Sequence, residues 1–205
     1  MTGAEEFARQ INVSRETLEG LGHYENLLKR WNPSVNLVSS SSLREVWSRH
    51  FLDSAQLFSI ADIAQGHWVD LGSGAGFPGL IIAILTRDTG PRVTLIESDQ
   101  RKCAFLATVV RELGLDVQIL PNRIEKVSPQ HADVLSARAL APLSKLLAHA
   151  ERHLSPTGTA VFPKGERWQS EVSDARKHWT FDAETCPSRT EPAAVVLKIK
   201  GVRRV

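Results

Sequence analysis

The sequence predicts an α/β fold: an open, mostly parallel sheet covered by helices on both faces, with a helical extension in front. Three observations carry this. From residue 67 onward, short apolar runs alternate with amphipathic stretches, as consecutive β-α units do. The first apolar run closes on a carboxylate and a cluster of glycines, in WVDLGSGAGFPGL at 68–80. Before residue 66, apolar residues recur at helical spacing instead.

The elements follow in order. In SRETLEGLGHYENLLKRW, Leu18, Leu21, Leu28 and Trp31 recur along one helix. Asn32-Pro33 is expected to end it, because proline pushes the preceding residue out of the α region. Ser42 with Glu45 fits a capping box for the next helix, and Leu43, Val46, Trp47, Phe51 and Ala55 form its apolar face. HWVDL then reads as a strand and GLIIAILTR as a helix. RVTLIE is a strand, and RKCAFLATVVREL a helix ended by Gly114. VQIL and ADVLSA are strands, and PLSKLLAHAERHL is a helix followed by a turn at Ser155-Pro156-Thr157-Gly158. TAVFP is a strand and RWQSEVSDARKH a helix. WTFDAETC and AAVVLKIK close the chain as an antiparallel pair across PSRTEP. In KIKGVRRV, Lys198 and Lys200 alternate with Leu197 and Ile199, as on an edge strand guarded by charge. His149 and His153 are expected at the surface, and Trp31 and Trp47 in the core. Residues 1–65 thus form a helical extension and 66–205 one compact Rossmann-like core.

Composition narrows the class. The chain has 205 residues, 42% hydrophobic and 23% charged, the balance of a soluble globular protein. No apolar run approaches the roughly 20 residues that cross a bilayer, and MTGAEEFARQ has no apolar core of a secretory signal. Cys103 and Cys186 are far apart and form no CxxC or CxxH pair, so neither a disulfide framework nor a metal site is expected. A reducing cytoplasm fits. A net charge of +2 neither demands nor excludes a nucleic-acid partner. Without a coiled-coil pattern, a monomer is expected.

The glycine turn points to a cofactor. Ligands of such sheets bind beyond the carboxyl ends of the strands. Gly72, Gly74 and Gly76 permit positive φ and close approach of a ligand. Gly74 to Gly79 matches the dinucleotide string G-x-G-x-x-G, but a dinucleotide loop starts with the glycine just past the strand. That residue is Gly72, from which the pattern is G-x-G-x-G. Pro78 removes an N–H where a pyrophosphate wants donors. An adenosine-bearing ligand without phosphates, S-adenosylmethionine, fits better than NAD. Asp70, inside the strand, either faces a cationic ligand group or holds the loop. Glu97, ending the second strand, can accept both ribose hydroxyls, as either cofactor would require.

Several stretches together resemble one family. WNPSVNLVS, RHFLDS at 49–54, VDLGSGAGFPGL, VTLIESDQRKCAFL, NRIE, ARAL and PKG occur in the order found in the bacterial glucose-inhibited division protein B family, guanine-N7 methyltransferases of small-subunit ribosomal RNA. The resemblance covers most of residues 31–165. It implies a class I S-adenosylmethionine-dependent methyltransferase fold with an N-terminal helical cap. It places Gly72 and Phe77 in the cofactor loop, Ile124 and Glu125 beside the adenine, and Arg138 beside cofactor and target base. The family's serine before that arginine is Ala137 here. Beyond residue 165 the resemblance is architectural only.

The chemistry implied is economical in side chains. Guanine N7 carries an in-plane lone pair and no proton, so it needs no general base. Positive charge moves onto the purine as the methyl arrives, so an arginine belongs near O6 or a phosphate, not against the imidazole edge. Arg138 is the residue expected to carry catalysis; a phosphate clamp or a structural ion pair is the alternative. Arg49, His50 and Lys164 are the candidate RNA contacts. For Arg49 and His50 the alternative is a helix whose polar groups bond nearby backbone, and for Lys164 an exposed strand-end lysine. Two other functions remain open at this point: an NAD(P)-dependent oxidoreductase, and a non-catalytic RNA-binding assembly factor with a vestigial pocket.

Overall fold

The computed structural model describes residues 3–87 and 89–205. The N-terminal part comprises α1 (Gly3–Gln10), α2 (Arg15–Val35), α3 (Ser40–Arg44), a π-helical turn (Trp47–Leu52) and α4 (Asp53–Ala61). The core follows as β1 (His67–Leu71), α5 (Gly79–Leu85), β2 (Arg92–Ile96), α6 (Gln100–Leu113) and β3 (Val117–Leu120). A 3-10 turn (Ile124–Lys126) leads to β4 (Ala132–Ala137), α7 (Leu143–His153) and β5 (Leu154–Lys164). The chain closes with α8 (Trp168–Ala175), β6 (Trp179–Pro187) and β7 (Val195–Arg204).

The seven strands form one sheet in the order β3-β2-β1-β4-β5-β7-β6. The first five are parallel; β7 pairs antiparallel with both β5 and β6. The chain runs outward from β1 to β3, then returns across β1 to β4. The order therefore reverses between β1 and β4, where open α/β sheets bind ligands. Leu71 pairs with Ala137 and with Ile96, so Gly72, Arg138 and Glu97 each lie one residue past these aligned strand ends.

Strand alternation divides the core by sheet face. Trp68, Val93, Leu95, Val134, Val161 and Val196 pack with the N-terminal helices, α5 and α6. Val69, Leu71, Ile96, Leu135, Phe162 and Leu197 pack with α7 and α8. The helical extension is thus one layer of the fold. Tyr24 of α2 anchors it: its ring lies 5.5 Å from Phe51, 5.6 Å from Phe77 and 6.2 Å from Phe105, and its hydroxyl donates to the carbonyl of Ala75 in the glycine loop. Each such aromatic contact contributes roughly 1 kcal/mol beyond burial.

Several elements differ from expectation. Pro33 lies inside α2, which continues to Val35 and ends at Asn36 in the left-handed region, φ 53°. The proline forfeits one helical N–H in the last turn, and Asn32 braces that turn by exchanging two hydrogen bonds with the backbone of Val38, at 2.9 and 3.0 Å. The cap of α3 is Ser39, whose Oγ accepts from Ser42 N; in a run of four serines an earlier register wins, and Glu45 falls past the helix end. Residues 155–158 belong to β5 but bulge, since pairing jumps from Leu154 to Thr159 while β4 advances from Ala132 to Val134. The basic strand β7 is interior, and β6 forms the edge. His153 is fully buried and His149 is largely covered. Trp31 and Trp47 pack, half-buried, on the core as expected.

Candidate functional site

The glycine loop runs from the end of β1 into α5. Gly72, Gly74 and Gly76 have φ of 62°, 58° and 96°, a region that side-chain-bearing residues enter at a cost. They differ in what surrounds them. A Cβ on Gly76 meets the Tyr24 hydroxyl at 2.8 Å, and one on Gly72 meets Leu140 at 2.6 Å. One on Gly74 meets nothing nearer than the Gly72 carbonyl at 3.8 Å. The space kept open for a ligand is therefore at Gly74.

The loop's amides are largely committed within the protein. Gly72 and Ser73 donate to the Ile96 carbonyl, Gly76 and Phe77 to the Ser73 carbonyl, and Leu80 to the Gly76 carbonyl. Gly74 donates to Glu97 Oε2 at 2.8 Å and Gly79 to Asp70 Oδ2 at 3.3 Å. A pyrophosphate needs such amides as donors. This arrangement disfavours a dinucleotide on geometry, beyond the missing N–H of Pro78.

Asp70 takes the second of its two expected roles. It is fully buried and holds the loop, accepting from Gly79 N and from Ser136 Oγ at 2.8 Å. Burial pushes its carboxyl up to about 6, against the lowering effect of those hydrogen bonds. Glu97 is also buried and accepts from Gly74 N and Asp99 N, both at 2.8 Å. A carboxylate has about four acceptor positions, so the remaining ones stay available to ribose hydroxyls.

Arg138 is the hub of the site. Its guanidinium lies 5.0 Å from the centroid of the Phe77 ring. Nη1 donates to the Arg49 carbonyl at 3.2 Å and to Asp53 Oδ2 at 3.3 Å; Nη2 donates to His50 Nδ1 at 2.8 Å. Because Nδ1 accepts, the proton of His50 sits on Nε2, which is buried without a partner among the described residues. The imidazole stacks on Phe77 at 4.7 Å and 3°. The π-helical turn, one residue wider per turn than an α-helix, gathers the Arg49 carbonyl, His50 and Asp53 around one guanidinium. RHFLDS is thus a socket for Arg138.

A cleft of about 370 Å³ opens here, lined among others by Leu37, His50, Gly72, Gly74, Phe77 and Arg138. Its size and its open side at Gly74 fit an adenosine-bearing methyl donor. Ile124, buried in the 3-10 turn, and the exposed Glu125 stand after β3, outside this lining. A larger cavity, about 870 Å³, lies by α1, α2 and the π-helical turn against Phe7, Glu25 and Trp47.

Two residues have surroundings other than those expected. Lys164 is buried, and its ammonium donates to the Ala141 carbonyl at 3.0 Å and to Glu171 at 2.7 Å. It does not face solvent as a phosphate contact or an exposed strand-end lysine does. Arg49 is half exposed and pairs with Glu191 at 3.1 Å. That partner belongs to the β6–β7 loop, where sequence reading placed no function. Thr190 of the same loop donates to Asp53 Oδ1 at 2.9 Å.

Buried histidines and Asp70 predict acid sensitivity. Burial first, then the charges of Arg138 and Arg49, lowers His50 to about 3; burial lowers His153 to about 4. Folded-state values below the ordinary 6.5 give stability that is present above pH 6.5 and lost as pH falls. At pH 5 each imidazole removes about 2 kcal/mol relative to pH 7. Asp70 acts oppositely: its contribution is complete below its ordinary range and is lost as pH rises through about 6. It returns about 1 kcal/mol at pH 5. The histidines win, so urea unfolding is expected to show about 3 kcal/mol less stability at pH 5 than at pH 7, and His50→Asn to recover about 2 kcal/mol of that difference. Equal stability at the two pH values defeats this account.

Known proteins are similar to this chain in sequence and in fold. A family model described as rRNA small subunit methyltransferase G matches residues 17–193, beyond residue 165 and into the β6–β7 loop. Proteins called ribosomal RNA small subunit methyltransferase G are 54% identical in Ruegeria sp. (strain TM1040), over 96% of either chain, and 50% identical in Paracoccus denitrificans, over 94% of this chain and 99% of that one. A SAM dependent methyltransferase from Aquifex aeolicus has the same fold, with a TM-score of 0.60 at 16% identity over 80% of this chain and 94% of that one. So does M. jannaschii TYW2 in complex with AdoMet, at 0.55 and 16% identity over 75% and 77%. With its class I methyltransferase fold and near full-length likeness to these relatives, the chain belongs to the rRNA small subunit methyltransferase G family.

Proposed function

We propose that this methyltransferase moves a methyl group from S-adenosylmethionine to N7 of a guanine in small-subunit ribosomal RNA. Family membership supports the class of reaction and of substrate. The committed loop amides and the open side of Gly74 support a donor without phosphates. The choice of atom rests on the lining of the cleft. Among the described residues there, the one imidazole is His50, and its Nδ1 is already taken by Arg138. Burial also holds that imidazole neutral and weakly basic. A nucleophile that must first lose a proton finds no acceptor there; guanine N7 has no proton to lose.

S-adenosylmethionine, when bound, supplies a methyl group on a positively charged sulfur. Gly72, Gly74, Gly76 and Phe77 would hold it, with Glu97 for its ribose hydroxyls and Ile124 and Glu125, beyond the cleft's lining, for its adenine. Arg138, held on three sides by the socket, offers its remaining N–H donors to the O6 edge of the purine. Catalysis is then alignment of N7 with the methyl group at near-attack distance. Arg49, at the rim, meets RNA phosphate; His50, being buried, contributes through Arg138.

Incubation of labelled S-adenosylmethionine with unmodified bacterial small subunits, followed by nucleoside analysis, tests this reading. Label is expected in 7-methylguanosine. Label in another nucleoside overturns the choice of atom, and none in either free rRNA or subunits overturns the reaction.

A further inference from the structure

We propose that Thr190, in the loop joining the last two strands, is a positioning residue for Arg138, acting through Asp53. The inference rests on the role of Arg138 proposed above. Asp53 has two sides. Oδ2 accepts from Arg138 Nη1 at 3.3 Å; Oδ1 accepts from Thr190 Oγ1 and from Gln56 Nε2, both at 2.9 Å. Two neutral donors behind the carboxylate fix the plane in which it meets the guanidinium, and a guanidinium is sensitive to that plane. Gln56 supplies one of them from α4 itself, so its bond follows the helix wherever it goes. Thr190 supplies the other from a loop 137 residues away in sequence.

That loop is held in several places. Arg189 N donates to Gln56 Oε1 at 2.9 Å, which also fixes the amide orientation of the nearly fully buried Gln56. Ser188 N donates to the Ala194 carbonyl at 3.1 Å, and Ser188 Oγ accepts from Thr190 N at 3.2 Å. Glu191 pairs with Arg49 at 3.1 Å, and the Arg49 carbonyl is itself a partner of Arg138. The final hairpin thus reaches the acceptors of Arg138 by two routes, a hydroxyl on Asp53 and an ion pair on Arg49. The hydroxyl route is the specific one: an exposed ion pair contributes little, whereas an aimed hydrogen bond to a mostly buried carboxylate sets its orientation.

The test pairs a spectroscopic readout with kinetics. In ¹⁵N-histidine-labelled protein, His50 reports whether Arg138 still donates to its Nδ1, because that bond holds the Nε2-protonated tautomer. Loss of the signal in His50→Asn assigns it. Thr190→Val keeps the shape and removes the donor. It is expected to move the His50 signal toward tautomer exchange and to lower kcat about tenfold, with KM for S-adenosylmethionine within about twofold. Thr190→Ser, which keeps the hydroxyl, is expected to restore both. On an Arg138→Ala background, Thr190→Val is expected to have no further effect on kcat. A wild-type His50 signal in Thr190→Val overturns the proposal, as do effects of the two substitutions that multiply. Wild-type protein showing the tautomer signature and its Thr190 dependence, yet transferring no methyl group, upholds the positioning and overturns the proposed reaction instead.

Discussion

Arg138→Ala is expected to lower methyl transfer at least about a hundredfold while leaving the chain folded. The guanidinium bridges three acceptors on the RHFLDS segment and lies over Phe77, so its loss opens the socket next to the cleft. The fold survives because Asp53 keeps Gln56 and Thr190 as donors and is partly open to water. A second signature accompanies the loss. After burial, the charge of Arg138 is the largest cause of the depressed His50 value, so the variant's imidazole is expected to titrate clearly above about 3. Arg138→Lys is expected to restore little, since one ammonium cannot reach Asp53, the Arg49 carbonyl and His50 in a single plane. Steady-state kinetics with an NMR titration of His50 checks both effects. Transfer within about tenfold of wild type in Arg138→Ala sinks the catalytic assignment.

What was legible in the sequence divides by distance along the chain. The β1–loop–α5 unit was readable because its signals are local: a short apolar run buried along its whole length, an in-strand carboxylate and glycines whose positive φ the structure bears out. The meeting of Gly72 with Arg138 was readable one step less directly, through the rule that ligands sit where strand order reverses. The surroundings of Arg138 were not. His50 and Asp53 are polar residues on a helical stretch, and spacing alone describes a solvated face equally well. That they converge depends on a π-helical turn, which leaves no periodic mark in six residues. Thr190 and Glu191 read as loop residues, and only the sheet order brings their hairpin beside α4. Pro33 misled because the bias against helix in the residue before proline is a preference that tertiary contacts override, here the bonds of Asn32 to Val38. His153 misled because a histidine near a basic helix end resembles surface, while its neighbours Leu146, Leu147 and Ala150 mark the buried face.

Glu171→Ala is expected to destabilise the chain by about 3–5 kcal/mol and to lower transfer as well. Lys164 is the reason. Its ammonium is almost wholly enclosed, with 7% of the side chain exposed, and Glu171 is its one ionic partner among the described residues. Removing that carboxylate strands a buried positive charge, the costly way to break such a pair. The same Glu171 oxygen accepts from Leu143 N at 2.8 Å, and Lys164 donates to the Ala141 carbonyl, so the pair clamps the segment that leaves Arg138. That segment passes through Ala139 at φ 51°, a strained position that needs neighbours to hold it. Lys164→Met is the milder change, because it fills the same space and leaves Glu171, 29% exposed, to water. A clamp therefore predicts Glu171→Ala to be worse than Lys164→Met in both denaturant unfolding and kcat, with KM for RNA little changed by either. A phosphate contact at Lys164 predicts the reverse order: Lys164→Met raises KM for RNA, and Glu171→Ala, by freeing the ammonium, does not.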